Sequence, residues 1–191
     1  MTNATDIPDR LERFVAEAAA LVSAGETEER LLPQLGDSMR ALVATDDWLD
    51  PAFAIPDAAY YQQYLLYADP ADRFSVVSFV WGPGQHTPIH DHTVWGVIGM
   101  LRGVEIAQNY ALGHNGMPTP SGEPIELRPG AVEFVSPTIG DIHEVRNAFD
   151  DRVSISIHAY GANIGKVRRH VYPREGGAPK EFVSGYSNAI A

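Results

Sequence analysis

His90 and His92 stand one residue apart in the stretch Gly82 to Gly103, GPGQHTPIHDHTVWGVIGMLRG. Neutral imidazole is the commonest metal ligand of proteins. Side chains two residues apart on a β-strand point to the same face. An extended 87–92 segment therefore aims both rings at one point and supplies half of a metal site. Pro88 and the flanking glycines set where the segment starts and turns. A second row with chemical potential is DRVSISIHAYG, in which Ser156, His158 and Tyr160 alternate with Ile155, Ile157 and Ala159. A polar strand face commonly just meets water. A hydroxyl, an imidazole and a phenol in series are also able to pass or hold a proton.

The chain that must position these groups has 191 residues, the size of one domain with an appendage. Apolar residues make up 45%, enough for a packed core. The net charge of −11 argues against nucleic acid as a partner, because such binding rests on Lys and Arg at phosphates. The chain has no cysteine, which excludes disulfides and thiolate metal sites and fits a reducing compartment. MTNATDIPDR lacks the basic and apolar regions of a signal peptide. No apolar run approaches the roughly 20 residues that span a bilayer. The expectation is a cytoplasmic chain with no membrane partner.

Apolar residues at three- and four-residue spacing predict helices over 8–23 and 29–43. Asp9 is a candidate cap for the first, and Gly25 follows as its stop. In the second, Pro33 suits the first turn and Gly36 weakens the helix. From residue 58 the pattern changes to short strands, predicted near 60–67, 73–81, 87–92, 95–101, 103–111, 124–128, 131–135, 142–147 and 152–160. Gly and Pro fill the breaks, and no helices intervene, which points to an antiparallel sandwich or barrel. Residues 161–191 read as irregular chain wrapping the barrel. The expected organisation is one domain: a helical segment over 1–55, the barrel with the metal site over 56–175, and a tail over 176–191.

A second glycine-anchored stretch, GAVEFVSPTIGDIHEVRN at 130–147, places His143 three residues after Gly140 and six after Pro137. The two stretches together resemble the paired cupin signatures, through Gly84, His90, His92 and Gly103 in the first, and Gly130, Pro137, Gly140, His143 and Asn147 in the second. The resemblance implies a mainly β cupin jelly roll (a double-stranded β-helix) with a metal in the barrel and N-terminal helices outside it. It also implies His90, His92 and His143 as ligands. The cupin glutamate ligand falls at Gly96, which has no side chain. Three imidazoles leave the metal its full charge and open positions, an all-nitrogen relative of the two-His-one-carboxylate triad of non-haem Fe(II) oxygenases.

Three histidines, no carboxylate and the Ser-x-His-x-Tyr strand resemble the thiol dioxygenases, that is, cysteine dioxygenase and its bacterial relatives. The resemblance covers roughly residues 60–172. It implies one Fe(II) per chain, O2 and a small thiol carboxylate as reactants, a sulfinic acid as product, and Ser156, His158 and Tyr160 as an outer-sphere triad. Animal cysteine dioxygenases carry a cysteine near the position of Gly96, cross-linked to the tyrosine, and this chain has none. Their carboxylate-clamping arginine aligns with Gln63. The 3-mercaptopropionate dioxygenases place a similar arginine after a Tyr-Gly-x-Asn-Ile-Gly segment, here residues 160–165, and register selects Arg169 over Arg168. The alternative for this pair is a solvated surface. Gln63 with Arg169 thus resembles the 3-mercaptopropionate type, with L-cysteine as the alternative substrate. A non-catalytic ligand-binding cupin and a flavonol-type dioxygenase remain competing readings. Trp95 and Tyr67 fit either pocket lining or core, and His86, His114 and His170 read as non-ligands.

Overall fold

A computed structural model describes residues 9–188. Residues 1–8 and 189–191, which include the expected helix start at residue 8, lie outside the described residues. Helices α1 (Asp9–Ser23) and α2 (Glu28–Val43) form where the apolar spacing places them. Asp9 and Glu12 lie within the first turn of α1, where an acid favours the positive helix end. Pro33 falls in the second turn of α2 rather than the first, because α2 starts at Glu28. Leu35 and Met39 of α2 have no exposed surface, and burying each contributes on the order of 2 kcal/mol. Gly36 has a packing role: a Cβ there would sit 2.5 Å from the Phe134 ring, so glycine brings α2 down onto the sheet.

The rest is mainly antiparallel β, the expected jelly-roll barrel with helices outside it. Its strands are β1 (Gln62–Ala68), β2 (Ser75–Trp81), β3 (Gly96–Arg102), β4 (Glu105–Leu112), β5 (Pro118–Pro120), β6 (Ile125–Leu127), β7 (Val132–Val135), β8 (His143–Asn147), β9 (Ser154–Tyr160), β10 (Arg169–Val171) and β11 (Lys180–Phe182). One sheet runs β1-β2-β9-β3-β7. Opposite it, β4 pairs with β6 and β8, and its distal end pairs with β5. The central strands β2 and β9 are buried along their whole length. Ile155, Ile157 and Ala159 join Val76 and Val80 in the core beneath the helices. The alternate face of β9 turns into the barrel, where Tyr160 packs with Val77, Phe79 and Trp81.

Three elements differ from the sequence reading. Residues 87–92 form no strand: only isolated bridges occur, at His86 and His90. Pro88 donates no ladder hydrogen bond. The N–H groups of His92 and Thr93 bond instead to the Asp141 carboxylate, and Thr93 takes a left-handed φ of 60°. His90 acts as a one-residue strand, bridging His143 on β8 and Val171 on β10. The second difference is that 161–191 is not wholly irregular. It contains the β10–β11 hairpin, and residues 187–188 run along β1, with Ser187 N–H donating to Gln63 O at 2.8 Å and Asn188 bonding Leu65. Third, β5 was not anticipated; its two prolines suit an edge strand.

Candidate metal centre

His90, His92 and His143 converge inside the barrel, with one nitrogen from each lying within 4.8 Å of the others. All three are buried. His143 is held on β8, opposite Asn109 of β4, and its backbone exchanges both hydrogen bonds with His90, at 2.9 and 3.0 Å. The His-x-His pair thus converges through side-chain anchors and a single bridge. His90 Nδ1 lies 2.9 Å from Pro88 O, and His92 Nδ1 lies 3.0 Å from Asp141 Oδ1. A ring nitrogen fixed by such a bond leaves Nε2 for a metal. Burial, and then the charge of neighbouring His92, lowers the His90 pKa to about 3, and His143 is pushed well down for the same reasons. Both rings are therefore neutral and ligand-competent at pH 7. Buried His143 Nδ1 has no hydrogen-bond partner among the described residues. Three buried, converging imidazoles, two of them with oriented rings, fit a divalent transition metal with open positions.

Gly96, the position expected from the cupin resemblance to carry a glutamate, has no room for a side chain. A Cβ there would sit 2.8 Å from Val135 Cγ2 and 2.9 Å from Tyr160 Cδ1 and Cε1. Glycine is required because the Tyr160 ring occupies that space. The same ring stacks on His92, at 5.4 Å between centroids and 20°.

Ser156, His158 and Tyr160 face the barrel interior and are almost fully buried, so this polar strand face does not meet water. Ser156 Oγ lies 2.7 Å from His158 Nε2, and His158 Nδ1 lies 2.8 Å from the Tyr160 hydroxyl. Trp81 Nε1–H donates to Ser156 Oγ at 3.3 Å. Burial keeps His158 neutral and raises the Tyr160 phenol far above its usual range, so it keeps its proton.

The three histidines, His158, Tyr160, Gln63 and Arg169 all line one cavity of about 290 Å3. Arg169 is 3% exposed. Its Nη2 donates to Ser184 Oγ at 2.6 Å, its carbon Cζ lies 4.7 Å from the Phe182 ring centroid, and its Nε has no partner among the described residues. Among the described residues it forms no ion pair. Burial lowers its pKa, but a guanidinium keeps its charge. Gln63 Nε2 donates to the same Ser184 Oγ at 3.3 Å and to Gly185 O at 3.2 Å. Arg168 points elsewhere, exposed and paired with Glu181 at 3.2 Å. Trp95 and Tyr67 pack in the core beneath the helices rather than along the cavity. His86, His114 and His170 lie outside the three-histidine group.

The sequence reading missed Asp141, Tyr61, Phe182 and Ser184. Asp141 stands two residues before His143, and Tyr61 two before Gln63, each just ahead of the strand, so nearness in sequence was the one signal that could have found them. Ser184 and Phe182 reach the cavity only through the chain reversal after β10, which no local pattern signals.

The profile of the family described as Cysteine dioxygenase type I matches residues 37–172. Among solved structures, a double-stranded β-helix protein from Klebsiella pneumoniae subsp. pneumoniae MGH 78578 is 17% identical, with 59% of this chain and 86% of that chain covered and a TM-score of 0.44. An RmlC-like cupin protein from Desulfovibrio desulfuricans is 22% identical, with 56% of this chain and 88% of that chain covered and a TM-score of 0.40. No helix among the described residues is long and apolar enough to cross a membrane.

Proposed function

Since this chain belongs to the cysteine dioxygenase type I family, we propose that it is a non-haem Fe(II) thiol dioxygenase whose preferred substrate is 3-mercaptopropionate. The thiol and O2 combine to give 3-sulfinopropionate, with both oxygen atoms on sulfur and no external reductant. Fe(II) bound by His90, His92 and His143 would supply adjacent open positions for the thiolate sulfur and O2, and would lower the thiol pKa.

The observation that carries the substrate reading is Arg169, a buried guanidinium without a carboxylate partner among the described residues, in the same cavity as the three histidines. A substrate carboxylate completes it, with charge-assisted hydrogen bonds in place of unmet donors. Gln63 adds a neutral donor beside it. No carboxylate side chain lines the cavity among the described residues. The ammonium of cysteine would therefore enter without a counter-charge, at a desolvation cost that 3-mercaptopropionate avoids. L-cysteine is the second reading, favoured by the family's description.

Tyr160 retains its proton. In the tautomer with His158 Nδ1 protonated, His158 donates to the phenol oxygen and Ser156 donates to Nε2. The phenolic O–H is then free to donate into the cavity. Phe79, Trp81 and Val145 give the cavity a largely apolar wall beside these groups.

The test is O2 uptake by iron-loaded protein, with 3-mercaptopropionate and L-cysteine compared side by side. A sulfinate product and a higher kcat/KM for 3-mercaptopropionate support the proposal. A preference for cysteine keeps the reaction and overturns the substrate. No uptake with either, in protein shown to hold iron, leaves a ligand-binding cupin.

A further inference from the structure

Asp91 stands between two candidate metal ligands, His90 and His92, yet its buried carboxylate binds the strand that carries Arg169. Its Oδ1 accepts the His170 backbone N–H at 2.7 Å. Its Oδ2 lies 2.8 Å from His170 Nδ1 and accepts the Tyr172 hydroxyl at 2.8 Å. Backbone bonds run alongside: Asp91 N–H donates to His170 O at 3.1 Å, and Tyr172 N–H donates to Ile89 O at 2.9 Å. β10 is three residues long and pairs on its other side with β11, so this set is what ties it to the loop of the candidate ligands.

We infer that Asp91 is a positioning residue that fixes the separation between the three-histidine centre and the Arg169 guanidinium, so that the cavity selects thiol carboxylates by the number of carbons between sulfur and carboxylate. The inference rests on the proposed function in one respect, that the ligand is a thiol carboxylate held at both ends. One methylene changes the span by somewhat less than a C–C bond of about 1.5 Å. Misplacement on the 1 Å scale is enough to cost about 100-fold in rate when both ends are clamped. A loosened clamp accepts more lengths and binds the best one less well. L-cysteine and 3-mercaptopropionate have the same sulfur-to-carboxylate count, so this device sorts by length and leaves the amino group to other contacts.

The experiment measures anaerobic dissociation constants of thioglycolate, 3-mercaptopropionate and 4-mercaptobutyrate on the iron-loaded protein, alongside O2 uptake with each. Wild type, Asp91→Asn and Tyr172→Phe are compared at equal iron content. The expected result is at least tenfold tighter binding of the three-carbon acid in wild type. That ratio falls at least threefold in Asp91→Asn and by less in Tyr172→Phe, while the KM for cysteamine, which has no carboxylate, does not change. Unaltered length ratios in both variants overturn the inference, as does a wild type without length preference. If Asp91→Asn loses iron or fails to fold, Tyr172→Phe decides alone, since it keeps the carboxylate and removes one donor. Sulfinate formation with unaltered ratios sinks the ruler and leaves the proposed reaction standing. Absent O2 uptake with every thiol sinks the reaction, and the binding ratios still decide the ruler.

Discussion

His92 Nδ1 lies 3.0 Å from Asp141 Oδ1, and the same carboxylate accepts the backbone N–H groups of His92 and Thr93 at 2.8 to 3.1 Å. Burial works to raise the Asp141 pKa, but these bonds outweigh it, and the carboxyl lies below its usual value. Asp141 thus orients a candidate ligand and also replaces the strand ladder that the 87–92 segment lacks. Asp141→Ala is expected to weaken metal affinity by about 10- to 100-fold, the usual effect of losing a carboxylate behind a ligating histidine. Asp141→Asn, which keeps one acceptor, should lose less. Competition with a chelator measures both, and wild-type affinity in Asp141→Ala would show that the ring is oriented by packing alone.

Arg169 and Gln63 meet at Ser184, so the cavity has two donors at one end. Arg169→Ala should raise KM for 3-mercaptopropionate by about 10- to 100-fold, the value of a charge-assisted hydrogen bond. Cysteamine, without a carboxylate, should change little. Steady-state O2 uptake with both substrates reads the difference, and parallel losses on the two would remove the clamp.

Tyr160→Phe preserves the ring that fills the space beside Gly96 and stacks on His92, and deletes only the hydroxyl bonded to His158. Metal content and thiol affinity should stay at wild-type levels while kcat falls by about 10-fold or more. Iron analysis with single-turnover kinetics checks this. An unchanged kcat would make the hydroxyl structural.

Glu105 is buried at 2% exposure on β4, and its Oε1 has no hydrogen-bond partner among the described residues. Burial raises its pKa to about 7 from 4.5, while Ser156 and Trp81 pull it back only in part. A carboxyl with a raised folded pKa binds its proton more tightly folded than unfolded. Its contribution to stability is therefore present at low pH and is lost as pH rises from about 4.5 to 7. Glu105→Gln, neutral throughout, should gain relative to wild type by up to about 3 kcal/mol between pH 5 and pH 8. Urea unfolding of the metal-free proteins at both pH values tests the sign, and a pH-independent difference would mean that the group titrates normally.

Much of the site was legible in the chain itself. The alternation of β9 put Ser156, His158 and Tyr160 in one row, because strand geometry alone dictates it. The resemblance of the two glycine-anchored stretches to the cupin signatures singled out His90, His92 and His143, and the resemblance to the 3-mercaptopropionate dioxygenases chose Arg169 over Arg168; the structure brings all four side chains to one cavity. Two amphipathic helices and a set of short strands followed from periodicity. Tertiary structure decided what periodicity does not encode. It turned the polar face of β9 inward, because the opposite face of the strand is covered by the helices. It replaced the expected strand at 87–92 with a loop held by Asp91 and Asp141: Pro88 has no N–H for the ladder, the Asp141 carboxylate takes the His92 and Thr93 N–H groups, and the Asp91 carboxylate ties the loop to His170 and Tyr172. It folded residues 169–188 back as β10, β11 and a strap on β1, bringing Ser184 to Gln63 across 121 residues of chain. Such contacts form between segments whose local patterns carry no trace of one another. The candidate ligands are therefore marked by motif resemblance in the sequence, and the cavity that surrounds them arises from long-range packing.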